Sequence, residues 1–336
     1  MPTPPVTWIM PVRNAERTLD AALESIASQD YARQELLVWD DGSTDGTHEI
    51  LKRHIGKTLA GKVIGTERIG LGRALARLVG HASSELIARA DADDINAPDR
   101  ISRQVAFLLE HRKVGVLGTQ MRNLGTGEVM THHPTADADI RWALRFENPV
   151  NHPTVMLRRS AVLEVGNYRD MQPGQDYDLW VRMGLICRFA NLPEALVQYR
   201  VHEDAVSAAQ RGDDGESFYK MRDALVDRLL PGIEPHAAAR LLNLIRQPDN
   251  LHVTEEDLRR FRQAAMLAAK ACRYQPSYFL STTRFQAQEN NLRTRYLKNK
   301  PVIRACLPLL RSAKTLTGKL QHKKRAQPGS STGRAA

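Results

Sequence analysis

Over the first 110 residues the apolar positions switch between two periods. Val6-Thr7-Trp8-Ile9-Met10 is a short β-rich run, whereas Leu19, Ala22, Leu23 and Ile26 recur at i, i+3, i+4 and i+7, one face of a helix. Glu35-Leu36-Leu37-Val38-Trp39 returns to the strand pattern. It stops at Asp40-Asp41-Gly42-Ser43-Thr44-Asp45-Gly46, a dense turn and helix-start signal. The pattern then predicts a helix from Thr47, a strand over Lys62–Thr66, a helix over Leu71–Leu78 and a fourth strand over Glu85–Ala88. Pro98 suits the first turn of a helix whose Ile101, Val105 and Leu108 share one face. Strand alternating with helix predicts an α/β fold, a mostly parallel sheet covered on both sides.

Such sheets bind ligands beyond the carboxyl ends of their strands. Two acidic clusters, Asp40/Asp41 and Asp91/Asp93/Asp94, follow two of the predicted strands. The fold is therefore expected to bring them to one edge, although about fifty residues separate them.

Beyond Val114 the pattern is mixed. Val116–Leu124 and Gly127–His132 are expected to pair around Gly125-Thr126-Gly127, Thr154–Leu157 to form a strand and Asp176–Leu185 a helix. From about Ser207 the Leu/Ala/Arg-rich periodicity predicts helices over Ala224–Leu230, Ala237–Ile245 and Glu255–Ala271. Residues 1–205 are read as the sheet domain, 206–320 as a helical basic extension, and 321–336 as a disordered, Pro/Gly/Ser-rich tail.

Composition does not decide the fold class: 42% apolar and 26% charged residues are ordinary for a globular protein. Charge distribution is more informative. Residues 1–210 hold 24 Lys and Arg against 27 Asp and Glu, and residues 211–336 hold 24 against 11. Past residue 260 the one acidic residue is Glu289. A basic segment of this kind suits a polyanion. The partner expected is an anionic membrane surface, because Val302, Ile303, Leu307 and Leu310 are interleaved with Arg304, Arg311 and Lys314. Nucleic acid is not expected, since no RNA-binding signature accompanies the charge and aromatic residues are 6% of the chain. No stretch approaches the roughly 18 apolar residues of a membrane span, and Met1–Pro5 lacks the basic-then-apolar order of a secretory signal. Cys187, Cys272 and Cys306 show no CxxC spacing. The expectation is a cytoplasmic protein, peripheral to the inner face of the membrane.

Crowded carboxylates repel, and either take up a proton or recruit a cation. Asp91, Asp93 and Asp94 offer hard oxygen ligands suited to Mg²⁺ or Mn²⁺. Mg²⁺ usually completes its shell with ligand phosphates, so a phosphorylated partner is implied. Taken by themselves, the same residues also read as a solvated acidic turn at a helix start.

Context favours the first reading. Pro11-Val12-Arg13-Asn14, Asp40–Asp45, Asp91–Asp94, Asn151-His152-Pro153-Thr154-Val155, Gln175-Asp176-Tyr177-Asp178-Leu179-Trp180 and Tyr199-Arg200-Val201-His202 follow in order. This set resembles the family 2 glycosyltransferases, which have the GT-A fold, over about residues 5–205. The resemblance implies inverting transfer of a sugar from a nucleotide-sugar donor, a UDP-sugar, to a glycan or lipid-linked acceptor in bacterial-type polysaccharide synthesis, with Mn²⁺ or Mg²⁺ as cofactor. It implies that Asp41 hydrogen-bonds the donor's base, that Pro11 and Asn14 shape the floor of that pocket, and that Asp91 contacts the ribose or sugar. Asp93 would be the principal metal ligand, His202 would lie at the metal or diphosphate, and Asp176 would be the general base. Arg68 or Arg73 would add positive charge. Two positions depart from the family pattern. Arg13 stands where Tyr is common, and a guanidinium plane can also stack on a base. Gln175-Asp176 replaces a Glu-Asp pair, which weakens the like-charge effect on Asp176. Asp176 is preferred to Asp178 because i and i+2 face different ways on a helix.

Other residues receive plainer readings: Asp94 as a cap for the next helix, His152 as a strand-edge histidine, Trp180 as core, His132-His133 as loop. A nucleotidyltransferase would need a Gly-rich basic loop near the N-terminus, and Met10–Asn14 contains no glycine. A non-catalytic polyanion-binding protein is the other alternative.

Overall fold

All seven residues of the first strand, β1 (Val6–Val12), are buried, because this strand lies inside the sheet with a core on each face. Trp8 and Met10 enter one core and Ile9 the other, the alternation that a pleated strand imposes. The computed structural model describes residues 3–171, 174–201, 253–271 and 283–298, with 237, 238, 240, 241 and 244. The elements that follow are α1 (Leu19–Ala27), β2 (Gln34–Asp40), α2 (Thr47–His54), β3 (Gly61–Gly65), α3 (Leu71–His81), β4 (Leu86–Arg89) and β5 (Ile95–Asn96). Next come α4 (Arg100–Glu110), β6 (Val114–Asn123), α5 (Asp137–Ala143), β7 (Met156–Arg158), α6 (Arg159–Glu164), α7 (Gln175–Met183) and β8 (Arg188–Tyr199). In the C-terminal third lie α8 (Glu255–Ala271) and α9 (Thr283–Lys298).

The strands form one sheet in the order β3-β2-β1-β4-β7-β6-β8-β5. The first four are mutually parallel, as the strand–helix alternation predicts. The other half is mixed: β7 runs antiparallel to both β4 and β6, β8 parallel to β6, and β5 antiparallel to β8. A three-residue β7 and a two-residue β5 are too short to carry a period, which is why the pattern misses the reversal. The expected strand from Thr154 instead begins with a 3₁₀ turn over His152–Thr154, and pairing starts at Met156. The expected hairpin is reduced to one bridge, Arg122 to Val129, while β6 pairs with β8 from Val114 to Asn123. α8 coincides with the helix predicted over Glu255–Ala271, and the described residues of Ala237–Ile245 are helical. The predicted helix Ala224–Leu230 and the tail lie outside the described residues.

The helical extension is part of the main core. Phe261 of α8 and Phe285 of α9 stack on each other, with ring centroids 5.2 Å apart, and both meet Trp142 of α5 edge-on at 5.3 and 5.4 Å. Among the described residues no helix is long and apolar enough to cross a membrane.

Candidate active site

β1 lies between β2 and β4, all parallel, so their carboxyl ends share one edge. Val12 pairs with Asp40 on one side, and Ile9 with Arg89 on the other. Asp41 and Asp91 therefore start two strand spacings apart, about 10 Å. This is the convergence expected from the two acidic strand ends.

The loops on this edge are tied together. Asn14, in the left-handed region at φ 50°, accepts the Thr44 N–H at 2.9 Å, and its own N–H donates to Ser43 Oγ at 3.0 Å. Pro11 is buried opposite Trp39, while Arg13 is exposed. Asp41 Oδ1 accepts the N–H groups of Ile69 and Gly70 at 2.6 and 2.8 Å, bracing the entry to α3. Its Oδ2 makes no hydrogen bond among the described residues. Gly42 has φ 72°, and a Cβ there would sit 3.0 Å from that of Arg68, so the two loops touch. Arg73 is turned elsewhere: it pairs with Asp170 at 2.6 Å on the surface. His202 lies outside the described residues.

Carboxylate oxygens of Asp91, Asp93 and Asp94 lie within 4.8 Å of one another. Thr18 at the start of α1 donates to the Ala92 carbonyl at 2.9 Å and fixes the loop. Arg200, just after β8, reaches across to it, with its N–H on Asp94 Oδ1 and its Nε on the Asp93 carbonyl, both at 3.0 Å. Asp94 therefore does not cap α4, as its sequence position suggested. It is 1% exposed and points inward, and Asp99 occupies the cap position. Burial pushes the Asp94 carboxyl up to about 8, with the Asp91 and Asp93 charges adding to the shift. Asp91 is also raised, first by burial, against the pull of Arg89. Asp94 Oδ2 is buried without a hydrogen-bond partner. An orphaned carboxylate oxygen beside two further carboxylates fits a divalent cation.

Asp176 lies in the first turn of α7, with Oδ2 accepting the Asn148 amide at 2.8 Å. Burial raises its pKa, and the backbone N–H of Tyr177 and the Asn148 amide oppose the rise. Asp178 faces the other way. It is 1% exposed and held by Arg182 at 2.6 Å and Arg169 at 3.3 Å. Trp180 is fully buried and belongs to the core. His152 sits on the 3₁₀ turn rather than a strand edge, with Nε2 3.0 Å from the Tyr168 hydroxyl.

The residue that joins these groups is one the sequence reading passed over. Arg89, 3% exposed at the end of β4, forms an ion pair with Asp91. Its charge is also felt by Asp94, Asp176, His152 and Tyr168. Arg89 thus pairs with Asp91, and its charge reaches Asp94 and Asp176 as well. A charged residue within the apolar run Leu86–Ala90 was the available signal. Asn148, Tyr168 and Arg200 gave no comparable signal, because their partners are remote in sequence.

Residues 7–166 match the model of the family described as Glycosyl transferase family 2. Bacillus subtilis EpsE, described as a glycosyltransferase, is 36% identical over 220 residues, covering 62% of this chain and 76% of its own. The O-antigen biosynthesis glycosyltransferase WbnJ of Escherichia coli is 29% identical, with 67% of this chain and 91% of its own covered. Among solved structures, S. aureus TarS 1–349 in complex with UDP-GlcNAc superimposes with a TM-score of 0.58 at 20% identity, over 91% of this chain and 92% of that one. The sheet and its covering helices are accordingly of the GT-A type. The acidic edge and these likenesses lead to one conclusion: the chain belongs to glycosyl transferase family 2 and is a glycosyltransferase.

Proposed function

We propose that this glycosyltransferase moves a sugar from a UDP-sugar to a glycan or lipid-linked acceptor by a single inverting displacement. The observation that carries the reading is the cluster of Asp91, Asp93 and Asp94 after β4, paired with Arg89, whose charge also reaches Asp176. Asp41 Oδ2 and the Pro11–Asn14 loop receive the base, with Arg13 above it. Asp91 faces the ribose or sugar. Asp93, flanked by Asp91 and Asp94, would hold Mn²⁺ or Mg²⁺, and by the family resemblance His202 would lie at the metal or diphosphate. When bound, such an ion supplies positive charge for the departing diphosphate.

Asp176 takes the proton of the acceptor hydroxyl as that oxygen attacks the anomeric carbon. The bond from that carbon to the diphosphate oxygen breaks, the nucleoside diphosphate leaves, and configuration inverts. Arg73 contributes charge only after leaving Asp170; Arg68, exposed beside Gly42, is closer to the base pocket. UDP is favoured by the ligand of TarS, and a polysaccharide-type acceptor by the name of WbnJ. The basic C-terminal third holds the protein against the cytoplasmic face of an anionic membrane, where a lipid-linked acceptor would be presented.

Release of UDP from UDP-sugars, followed with Mn²⁺ or Mg²⁺, tests this. Turnover should need the metal, and Asp93→Ala should lower it about 10²–10³-fold with an unchanged melting curve. Metal-independence, or no turnover with any sugar nucleotide, would overturn the reading.

A further inference from the structure

His152 and Tyr168 have no part in the reaction as described, yet both stand within electrostatic reach of Arg89, and Tyr168 within that of Asp176. Tyr168 is 5% exposed, and its hydroxyl has one hydrogen-bond partner among the described residues, His152 Nε2 at 3.0 Å. Burial pushes the phenol well above its ordinary range, so it keeps its proton. A buried hydroxyl proton needs an acceptor, and Nε2 is the acceptor present. Burial also pulls the imidazole well below its ordinary value, so the ring is neutral. A neutral imidazole that accepts at Nε2 carries its proton on Nδ1.

No described residue accepts from Nδ1, although the ring is held firmly. It lies tilted on Tyr168 at 5.6 Å and edge-on to the buried Trp180 at 6.0 Å. Its turn is closed by the Thr154 N–H on the Asn151 carbonyl at 3.0 Å. Asn151 is itself pinned by His133 at 2.9 Å. His152 is half-buried, and Trp180, which its ring meets edge-on, lies one helical turn after Asp176 on α7.

We propose that His152 Nδ1–H donates a hydrogen bond to a hydroxyl oxygen of a sugar bound beside Asp176, and that Tyr168 is the positioning residue that fixes this tautomer. The proposal rests on the sugar-nucleotide reading above. It extends that reading to the Asn151-His152-Pro153-Thr154 segment, to which no part in sugar binding was assigned. The sugar is either that of the donor or that of the acceptor, and the two make different demands.

Amide isosteres separate the two ends of the ring. Asn places an N–H where Nδ1 lies; Gln places its polar end where Nε2 lies and retains the Tyr168 contact. If Nδ1–H binds sugar, His152→Gln loses about three- to tenfold in the affected step, the worth of one neutral hydrogen bond. His152→Asn should recover part of that loss, and Tyr168→Phe should lie between. Calorimetry with UDP and with UDP-GlcNAc in Mn²⁺, alongside UDP release, locates the step. Weaker UDP-GlcNAc binding with unchanged UDP binding identifies the donor sugar. Unchanged binding of both with slower turnover identifies the attacking or acceptor side. Melting curves confirm that each variant is folded. The proposal is overturned if Gln preserves function better than Asn, which would make the Tyr168 contact purely structural, or if all variants match wild type. A wild-type protein that binds no nucleotide sugar defeats the donor reading itself, and this one with it.

Discussion

A carboxylate that must remove a proton from a sugar hydroxyl gains from a raised proton affinity, and burial gives Asp176 that property. As the proposed base it would act only when ionised, so turnover should fall as pH drops through a pKa above the ordinary aspartate value. The Asn148 amide stabilises the ionised form. Replacing Asn148 by Leu should therefore move the acid limb of the pH–rate profile upward. The same shift has a stability consequence. The folded state holds the proton more tightly than the unfolded chain, so stability decreases as pH rises from the unfolded to the folded pKa, and the cost is fully present above both. Asp176→Asn removes that cost. It should lower turnover about 10²–10⁴-fold while its melting temperature at neutral pH equals or exceeds wild type. A melting temperature well below wild type would mean that the carboxylate is structural. Helix geometry says that Asp176 and Asp178, two residues apart, cannot share a face, and the family resemblance points to Asp176 as the one at the site. The ties of Asp178 to Arg182 and Arg169 were less accessible, because an acid and a base on one helix also read as a solvated pair.

Helix α4 illustrates what periodicity can and cannot disclose. Ile101, Val105 and Leu108 were legible as its buried face, and all three are buried. Arg100 and Gln104 are equally buried, at i and i+4, although their types suggest solvent. Their partners are remote. Arg100 donates to the carbonyls of Arg89 at 2.9 Å and Val155 at 3.3 Å, and to Asn96 and Gln104 side chains, and its guanidinium lies over Trp8 at 5.0 Å. Gln104 donates to the carbonyls of Thr154 at 2.9 Å and Leu117 at 3.1 Å. The carbonyls of Arg89, Thr154 and Val155 lie just beyond the last paired residues of β4 and β7, Ala88 and Met156. Arg100 and Gln104 supply these carbonyls with side-chain donors. Burial lowers the Arg100 pKa to about 9, the Asp94 charge working against the shift. Arg100→Met would leave several buried acceptors without donors, at about 1–3 kcal/mol each. A loss of at least about 2 kcal/mol is expected from the urea midpoint. Lys should recover only part of it, since one ammonium cannot span the fork. A neutral Met substitution would remove this role for Arg100. The four parallel strands were readable because each carries its own apolar run and turn. The mixed half was not, since its order depends on pairings between short strands distant in sequence.

Charge is segregated along the molecule, while packing is not. Residues 1–210 carry a formal −3 and residues 211–336 a formal +13. Yet α8 and α9 close on Trp142 through Phe261 and Phe285, so the basic part is anchored to the sheet domain. Among the described residues of this part, Glu256, Asp257 and Glu289 are already engaged. Asp257 pairs with Arg240 at 2.6 Å, and Glu289, the last acid of the chain, is held between Arg262 and Arg293. Residues 299–336 add nine Lys and Arg and no Asp or Glu. Near an anionic surface each basic residue is worth about 1 kcal/mol, an attraction that decays over about 8 Å at physiological salt. The protein should therefore sediment with vesicles containing phosphatidylserine and not with neutral ones, and about 1 M salt should release it. A chain ending at Lys298 keeps the aromatic dock of α8 and α9 but loses those nine charges. It should bind at least about tenfold more weakly with an unchanged melting curve, because even two of the nine charges at the surface correspond to more than that. Equal binding by the shortened chain would assign membrane attachment to another surface, whereas equal binding to neutral vesicles would remove the electrostatic account altogether.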